Sequence, residues 1–505
     1  MNTDIVIDRD SGAALTAESC YRALAAKDAR FDGVFFTGVK TTGIYCRPVC
    51  GVKTPRASSC VFFSSAAAAE AAGFRPCLRC RPELAPYALQ QNLAHAVWQR
   101  IAAGALNDGD VERLAQEVGL SSRQLRRVLL QHFGVTPIEL AQTQRLLFAK
   151  KLLQETRMPM SDIAYAAGFG SIRRFNALFS SRYGMAPTTL RRTGEVEVQG
   201  PDAITLRLAY RPPFAWQELL VYLAGRAIPG VETVHGASYA RSVQIEHVAG
   251  WLSVAHLPAR HQLELSVSVS LAHKLMPLLA RVRQQFDLDA NPEVIAAHLS
   301  DDPLLGTQVA ATPGLRVPGG FDVFELAVRA VLGQQVSVVG ATTLSGRLVQ
   351  VFGTRTPTPF AGVTHHFPTA ARLAEVRTED IAAIGLPTSR AATIRNFAVF
   401  AQQGGLQLRP GAALSDAIVH LKSVPGIGEW TAQYIAMRAL RFTDAFPAGD
   451  LGLQKAAAVN DASRLTEKQL LARAAHWSPW RAYAAILLWQ ILRGRELGLS
   501  AKETS

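Results

Sequence analysis

The sequence predicts a multidomain protein that is mainly α-helical and contains two α+β parts. Its 505 residues allow three or four domains, each large enough to bury its own core. All six cysteines lie within the first 80 residues, which sets off a small N-terminal unit. Along the rest of the chain, the spacing of apolar residues changes from helical to alternating and back to helical. We therefore divide the chain into residues 1–85, 86–192, 201–310 and 311–505.

The composition is globular, with 49% hydrophobic and 18% charged residues. No apolar run is long enough to span a bilayer, so a membrane partner is not expected. The chain begins with acidic and mixed residues, unlike a signal peptide, and we expect a cytoplasmic protein. The net charge is +13, and residues 85–192 carry 14 Lys and Arg against 7 Asp and Glu. This acid-poor stretch favours a phosphate-contacting surface.

The N-terminal segment combines short strands with a cysteine pattern. Aromatic runs at Val34–Val39 and Val61–Ser64 lie among Gly and Pro turns, which predicts strands. Four cysteines form two close pairs, separated by 26 residues: Cys46 and Cys50, then Cys77 and Cys80. Two such pairs bring four soft thiolates into tetrahedral reach, the usual arrangement of a structural zinc site. Cys20 and Cys60 lack this pairing and are expected to be ordinary buried thiols.

The motifs TTGIYCRPVC and GFRPCLRC resemble the N-terminal domain of the bacterial adaptive-response regulator Ada, over about residues 20–85. The resemblance implies that Cys46 accepts a methyl group from a DNA methylphosphotriester. A zinc-bound thiol stays deprotonated at neutral pH and can attack a methyl carbon without a general base. Four thiolates on one Zn²⁺ sum to −2 and methylation leaves −1, so repulsion toward DNA falls. A purely structural zinc site remains the alternative.

Residues 86–192 contain two similar units, VERLAQEVGLSSRQLRRVLLQHFG and MSDIAYAAGFGSIRRFNALFSSRYGMAPTTLRR. Each has a short helix, a Gly-containing turn and a second helix that opens with Ser. Ser121 or Ser122, and Ser171, are the expected N-caps. The second helices carry five arginines expected to contact bases and phosphates in the major groove: Arg123, Arg126, Arg127, Arg173 and Arg174. This segment resembles an all-α AraC-type DNA-binding domain, which implies promoter DNA and RNA polymerase as partners.

The third segment alternates β-like and helical runs, which predicts an α+β domain with an antiparallel sheet. The expected strands are Ile204–Tyr210, Ser242–His247, Trp251–His256 and Gln262–Val269, and the expected helices are Trp216–Ala227 and Ala272–Phe286. The remainder of the chain is expected to be almost wholly helical, with one loop excursion at Thr354–Pro368.

The most informative string of the fourth segment is Leu421–Leu440, in which an apolar helix runs into Pro425-Gly426-Ile427-Gly428 and then a second helix. The glycines let backbone amides turn toward a phosphate at a helix N-terminus, commonly with a bridging monovalent cation. This pattern predicts a helix-hairpin-helix, which contacts the DNA backbone without sequence preference. Asp450, within FPAGDLGLQK, begins a further helix, where on its own it favours an N-cap.

The hairpin, the Pro-x-x-Asp motif and HWSPWRAYAAILLW resemble the AlkA-type helix-hairpin-helix glycosylases, 3-methyladenine DNA glycosylase II, over about residues 204–495. The resemblance implies that Asp450 is a catalytic carboxylate that stabilises an oxocarbenium-like sugar as the N-glycosidic bond of an alkylated base breaks. The flipped base would lie between aromatic faces, at Tyr222, Trp430, Tyr434 and Trp489. The implied DNA contacts of this half are Gln334, Gln335, Gly426 and Gly428.

Three absences narrow the chemistry. Glycosylases that also cleave the strand place a Lys just after the hairpin, whereas this chain has Glu429-Trp430-Thr431, so a monofunctional enzyme is expected. No cysteine follows Cys80, so the iron–sulfur cluster of related enzymes is not expected. The Pro-Cys-His-Arg motif of alkylguanine transferase is missing, and that activity is not assigned.

Two departures from the AlkA pattern bear on substrate range and base flipping. Gln335 occupies the position where these enzymes place a wedge leucine that fills the gap left by the flipped base. Leu451 and Gly452 follow Asp450 where an aromatic and a larger aliphatic residue are expected.

The leading hypothesis is a monofunctional alkylbase glycosylase fused to a methylphosphotriester-sensing transcriptional regulator, associated with the bacterial nucleoid. A second hypothesis keeps the glycosylase and treats the zinc and helix-turn-helix parts as a DNA-targeting module without methyl transfer. A third is a transcription factor whose C-terminal half is an inactive platform. Base release and its loss in Asp450→Asn separate the third hypothesis from the first two.

Overall fold

The computed structural model describes residues 15–85, 93–107, 109–192, 202–409, 411–458 and 464–496. Helices dominate the described chain, and small sheets lie in the first, third and fourth segments. The predicted fold class is therefore confirmed. Within the described ranges, no helix combines the length and the apolar character needed to cross a membrane.

The N-terminal unit is a four-stranded sheet with helices Ala17–Ala26 and Ala66–Ala71. In spatial order its strands are Cys60–Phe63, Phe36–Val39, Ile44–Cys46 and Arg75–Pro76. The first three pair antiparallel and the last two pair parallel. Short 3-10 helices lie at Ala29–Phe31, Ala57–Ser59 and Pro82–Leu84. Cys20 is buried, as expected, whereas Cys60 is only half-buried.

The second segment is all-helical, as predicted. Its helices are Leu93–Ala102, Val111–Glu117, Ser122–Phe133, Pro137–Glu155, Met160–Ala166, Ile172–Tyr183 and Pro187–Arg192. Ser121 and Ser171 are the N-caps of the second helix of each unit, and Ser122 is the first helical residue after its cap. The 19-residue helix Pro137–Glu155 joins the two units and is buried along most of its length.

The third segment holds a five-stranded sheet in which every pairing is antiparallel. In spatial order its strands are Ala203–Ala209, Gln262–Ser268, Val248–Leu257, Ser238–Ile245 and Glu232–His235. The strand Glu232–His235 was not among the sequence predictions. Helices Trp216–Ala224 and Leu275–Gln285 accompany the sheet; the second follows a 3-10 turn at Val269–Lys274, and another 3-10 turn lies at Pro258–Arg260.

The fourth segment is a helical array that holds the hairpin near its centre. Its helices, with the two that lead into it, are Pro292–Leu299, Pro303–Ala311, Val323–Leu332, Val338–Phe352, Ala370–Glu375, Thr378–Ala382, Thr388–Gln402, Leu414–Lys422, Glu429–Arg438, Leu451–Ala456, Glu467–Ala474 and Arg481–Glu496. A 3-10 turn lies at Ala475–Trp477. The predicted loop excursion contains a small ribbon, Thr354–Arg355 paired with His365–His366.

Apolar cores cross the segment boundaries. Leu152, Phe175 and Phe179 of the second helix-turn-helix unit belong to one buried cluster with Leu206 and Leu278 of the third segment. The first unit instead has a core of its own, which Ala67 of the N-terminal unit joins. The second unit and the antiparallel sheet are therefore packed as one body.

A buried ion-pair network ties three segments together. Glu83, next to the cysteine site, accepts hydrogen bonds from Arg81 and from Lys150 of the central helix, at 3.0 and 2.6 Å. Arg81 also pairs with Glu155, whose second oxygen accepts the backbone N–H of Arg207 at 3.0 Å. The side chains of Glu83, Lys150 and Glu155 are buried and Arg81 is half-buried, so removing one partner would leave an uncompensated charge, which is strongly destabilising.

Candidate metal centre and active site

Two parallel strands bring the cysteine pairs together. Cys46 ends the strand Ile44–Cys46, and the N–H of Cys77 donates to the carbonyl oxygen of Tyr45 at 3.0 Å, which sets Cys77 beside it. The remaining two ligands follow one turn after each strand: Cys50, whose N–H donates to Arg47 O at 3.1 Å, and Cys80. The site is thus built by the register of one short strand pair.

The four sulfur atoms of Cys46, Cys50, Cys77 and Cys80 lie within 4.8 Å of one another. Tetrahedral Zn²⁺ with Zn–S bonds of about 2.3 Å puts neighbouring sulfurs about 3.8 Å apart, so the cluster fits one zinc ion. Three of the cysteines are buried and Cys80 is half-buried. Thiolate ligands in this number select zinc over hard, oxygen-seeking cations.

Arg47 connects the metal centre to its surroundings. Its backbone N–H donates to Sγ of Cys80 at 3.4 Å, and its side chain donates to the carbonyl oxygen of Cys80 at 3.2 Å. The guanidinium also forms an ion pair with Asp32. Asp32 in turn accepts, through its carbonyl oxygen, a hydrogen bond of 2.6 Å from Arg211 of the third segment.

The two recognition helices, Ser122–Phe133 and Ile172–Tyr183, present their arginines to solvent. In the first, Leu125, Leu129 and Phe133 face the core at intervals of four residues. The second buries Phe175, Phe179 and Tyr183 in the same way. The five predicted DNA contacts are all exposed on the opposite faces: Arg123, Arg126, Arg127, Arg173 and Arg174.

The hairpin lies between helices Leu414–Lys422 and Glu429–Arg438. Gly426 has φ +90°, and a Cβ there would lie 1.9 Å from Oγ1 of Thr393, so only glycine fits. Gly428 is exposed and faces open space. Gln334 holds the neighbouring loop against the hairpin: its Nε2 donates to Gly426 O at 3.1 Å and to Oγ1 of Thr431 at 2.9 Å.

Asp450 lies at the edge of a cavity of about 1860 Å³ that opens beside the hairpin. It is the N-cap of helix Leu451–Ala456, and its Oδ1 accepts the backbone N–H of Leu453 at 3.0 Å. Two indole N–H groups also donate to the carboxylate, Trp430 to Oδ2 at 3.1 Å and Trp489 to Oδ1 at 3.2 Å. Asp450 is therefore both a helix cap and a reactive carboxylate candidate, held by three N–H donors.

The four predicted aromatic residues lie together in this cavity. Trp430 and Tyr434 stack with ring centroids 5.4 Å apart, and Tyr434 and Trp489 are 6.2 Å apart. Tyr222 lies on the same wall, with the guanidinium carbon of Arg226 3.8 Å from its ring centroid. The four rings and the Asp450 carboxylate thus line the same cavity and together form a slot.

Arg438 was missed by sequence reasoning, although it lies four residues after Tyr434 on the same helix. It donates to the Tyr434 hydroxyl at 2.6 Å and to Pro318 O at 2.7 Å. Burial raises the pKa of Tyr434, but the charges of Arg438 and Arg226 outweigh it and lower that pKa to about 8. An electron-rich phenol ring is a favourable face for an electron-poor base.

The departures from the AlkA pattern are visible in the same cavity. Gly452 packs closely beside the carboxylate: a Cβ there would lie 3.0 Å from Oδ1 of Asp450 and 3.1 Å from Leu492, so a larger residue would crowd both. Leu451 is exposed. Gln335, which also lines the cavity, has a left-handed backbone with φ +56° and an exposed side chain.

Four families match successive parts of the chain. The metal binding domain of Ada matches residues 19–83, and a helix-turn-helix domain matches residues 114–193. The AlkA N-terminal domain matches residues 205–322, and the HhH-GPD superfamily of base excision DNA repair proteins matches residues 328–481. These matches show a DNA-binding protein with a site for one zinc ion.

One relative spans nearly the whole chain: the probable bifunctional transcriptional activator/DNA repair enzyme AlkA of Mycobacterium tuberculosis. It is 39% identical over 483 residues, which are 94% of this chain and 96% of the relative. The chain belongs to this AlkA family of bifunctional proteins. DNA-3-methyladenine glycosylase 2 of Escherichia coli is 35% identical over 282 residues, 56% of this chain and 95% of that relative.

Among solved structures, the 3-methyladenine DNA-glycosylase from Archaeoglobus fulgidus resembles the C-terminal half of this AlkA family member. The TM-score is 0.52 at 20% identity, and the match covers 58% of this chain and 99% of that one. This likeness concerns the fold alone.

Proposed function

We propose that this protein is a monofunctional DNA glycosylase that hydrolyses the N-glycosidic bond of alkylated bases such as 3-methyladenine, fused to a transcriptional regulator that accepts a methyl group on Cys46. The observation that carries the proposal is the convergence of Asp450 and four aromatic rings in one cavity beside a helix-hairpin-helix. Such a slot suits a flipped, electron-poor base.

In the proposed excision, the hairpin holds the DNA backbone and the damaged nucleotide turns into the cavity. The N-glycosidic bond breaks with its electron pair moving to the cationic base, and positive charge develops on the sugar. The Asp450 carboxylate, aimed by Trp430, Trp489 and Leu453, stabilises that charge. Water then adds to the sugar carbon and loses a proton. An alkylated purine already carries positive charge, so little general acid is needed.

In the proposed sensing step, Sγ of Cys46 attacks the methyl carbon of a phosphotriester, the methyl–oxygen bond breaks, and the phosphodiester leaves with the electron pair. Zinc, when bound, keeps the four thiolates deprotonated. Cys80 is more exposed than Cys46, but its sulfur accepts the Arg47 N–H, which lowers its reactivity. Among the described residues, no backbone N–H donates to Sγ of Cys46, which supports it as the acceptor.

The regulatory part of the proposal rests on the exposed arginines of the two recognition helices. Bound to promoter DNA, the protein would contact RNA polymerase, and we place it on the bacterial nucleoid in the cytoplasm. The proposal includes four domains, at residues 1–85, 86–192, 201–310 and 311–505. A monovalent cation at the hairpin is part of the same proposal.

A base-release assay on alkylated duplex DNA tests the excision. Wild type is expected to release 3-methyladenine, and Asp450→Asn should lower the rate by about 10²–10³-fold, because it removes the negative charge that faces the developing cation. The asparagine still accepts the Leu453 N–H, so the helix cap is retained. Equal release by the two proteins would overturn the assigned role of Asp450, and no release by wild type would leave only a DNA-binding platform.

Mass spectrometry of the N-terminal peptides after incubation with DNA methylphosphotriesters tests the sensing. One added methyl group is expected on Cys46 and none on the other cysteines. Cys60→Ala is the matched control, since this half-buried thiol lies outside the metal cluster. If Cys46 stays unmodified, the zinc centre is structural.

A further inference from the structure

We propose that Gln335 reads the base opposite the damaged one. In this inference, which rests on the proposed excision, its side-chain amide enters the space vacated by the flipped nucleotide. There it forms hydrogen bonds with the Watson–Crick edge of the orphaned partner base. Gln335 would then be a specificity-determining residue that makes excision depend on the opposite base.

Two adjacent glutamines of the loop differ in their contacts. Gln334 is half-buried and tied through its amide to Gly426 and Thr431. The side chain of Gln335 is exposed, and none of the hydrogen bonds among the described residues involves it. Gln334 therefore fixes the loop to the hairpin. The side-chain amide of Gln335 points away from the hairpin contacts, and its N–H donors and carbonyl acceptor are unused within the described residues.

The backbone of Gln335 is also unusual. The loop connects helix Val323–Leu332 to helix Val338–Phe352, whose N-cap Ser337 accepts the Gly340 N–H at 3.1 Å. Gln335 adopts φ +56°, a conformation that few residues other than glycine take. Strained positions of this kind persist where the surroundings fix them, and they cluster at ligand-contacting sites.

The position of Gln335 in the fold also favours a contact with the opposite base. Gln335 lines the mouth of the cavity that contains Asp450, as do Gly426 and Gly428 of the hairpin. Its neighbours Val336 and Val338, which line the same cavity, are exposed apolar side chains. A duplex held by the hairpin amides with one base in the cavity therefore has its gap next to Gln335 and these apolar side chains.

The chemistry of the Gln335 side chain suits recognition of a base. A leucine at this position could only fill the gap, whereas an amide offers one acceptor and a two-proton donor in one plane. Orphaned thymine and cytosine each present an adjacent donor and acceptor, and the glutamine amide can match either by turning over. A bidentate amide–base contact discriminates by roughly tenfold or more.

Binding to duplexes that contain a tetrahydrofuran abasic analogue tests this directly, because the damaged base is already absent. Wild type is expected to bind about tenfold more tightly when the opposite base is thymine than when it is difluorotoluene, a thymine shape without strong hydrogen-bonding groups. Gln335→Met keeps the length and loses the amide, so it should bind both duplexes equally. Val339→Ala, an exposed neighbour, is the control that should retain the preference.

Because Gln335 is exposed and makes no hydrogen bond within the described chain, Gln335→Met should fold like wild type, which thermal unfolding checks. Equal binding of the two duplexes by wild type, or a preference that survives in Gln335→Met, would overturn the inference. Neither result bears on excision, which the base-release assay measures separately. Failure of base release with an intact preference would overturn the proposed function and leave the reading role of Gln335 in DNA binding.

Discussion

The two proposed reactive groups of this protein, Cys46 and Asp450, are held by opposite means. Cys46 belongs to four cysteines that one metal ion would join, at the ends of two strands of three and two residues and in the turns that follow them. Asp450 is held by three N–H donors from separate elements: its own helix, helix Glu429–Arg438 and helix Arg481–Glu496. The arrangement around Cys46 depends on a single ion, whereas the position of Asp450 depends on three separate hydrogen bonds. Damage to the first should therefore be all-or-none, and damage to the second graded.

The largest expected effect is that of zinc removal. A chelator should abolish methyl uptake by Cys46, since the buried sulfurs would lose the ion that keeps them deprotonated. Excision by the same sample should stay within about twofold of the untreated protein, because distant sites act independently. Methyl counting by mass spectrometry and base release measure the two activities. Loss of both would show that the metal centre also supports the glycosylase half.

A graded effect is expected for Trp430→Phe and for Trp489→Phe. Each removes one N–H donor to Asp450 and keeps an aromatic face in the cavity, so each should slow base release by about tenfold, as expected for one hydrogen bond to a charged group. Single-turnover rates on alkylated DNA provide the measurement. If either variant were as slow as Asp450→Asn, the carboxylate would depend on one donor and the contrast with the metal centre would disappear.

The hairpin glycines offer a smaller, matched pair of changes. Gly426→Ala puts a methyl group against Thr393 at a positive φ, so it should destabilise the protein by about 1–3 kcal/mol and weaken DNA binding. Gly428→Ala meets open space in the protein and should leave the melting temperature unchanged while weakening DNA binding severalfold. Unaltered DNA affinity in Gly428→Ala would mean that the phosphate does not approach this turn.

The smallest effect concerns a carboxyl group held by hydroxyls instead of N–H donors. Glu70 accepts hydrogen bonds from Tyr45 at 3.1 Å and Thr143 at 3.0 Å. Burial raises the pKa of Glu70 to about 7, against the lowering effect of those hydrogen bonds. The folded protein thus holds a proton that the unfolded chain releases above its ordinary pKa of 4.5, and stability falls as the pH rises from about 4.5 to 7.

Glu70→Gln should remove this pH dependence, because the amide needs no proton. At pH 5 the variant and wild type should melt within a degree or so of each other, and at pH 8 the variant should melt a few degrees higher. Thermal unfolding at the two pH values gives the comparison. A variant that is less stable than wild type at pH 8 would show that the charged carboxylate is the form the fold favours.

The contrast between the two sites also explains what the sequence could predict. The zinc ligands can be predicted from their spacing. The two cysteines of each pair lie within one turn, and four soft thiolates together are the usual ligand set of a structural zinc site. The N-caps Ser121 and Ser171 can likewise be predicted from residues that are close in sequence. Asp450 by itself favours an N-cap, and its proposed second role follows only from the AlkA resemblance, because Trp430 and Trp489 reach it from 20 and 39 residues away.

Some features were beyond the sequence for physical reasons. The short strand Glu232–His235 is selected by its neighbour in the sheet, so its own residues carry little signal. The pairing of Arg438 with Tyr434 fits the helical spacing, but many such pairs occur on helices and only the cavity gives this one a role. The cores that cross segment boundaries depend on which apolar faces meet, and helix and strand patterns do not encode that choice.

The common core of the second helix-turn-helix unit and the antiparallel sheet has a mechanical consequence. Since Phe175 and Phe179 share a buried cluster with Leu206 and Leu278, the recognition helix Ile172–Tyr183 cannot swing independently of the glycosylase half. A duplex bound along that helix fixes the angle at which any second stretch of DNA can enter the Asp450 cavity. In the proposed function, DNA recognition by that helix would therefore orient the DNA that is presented for excision.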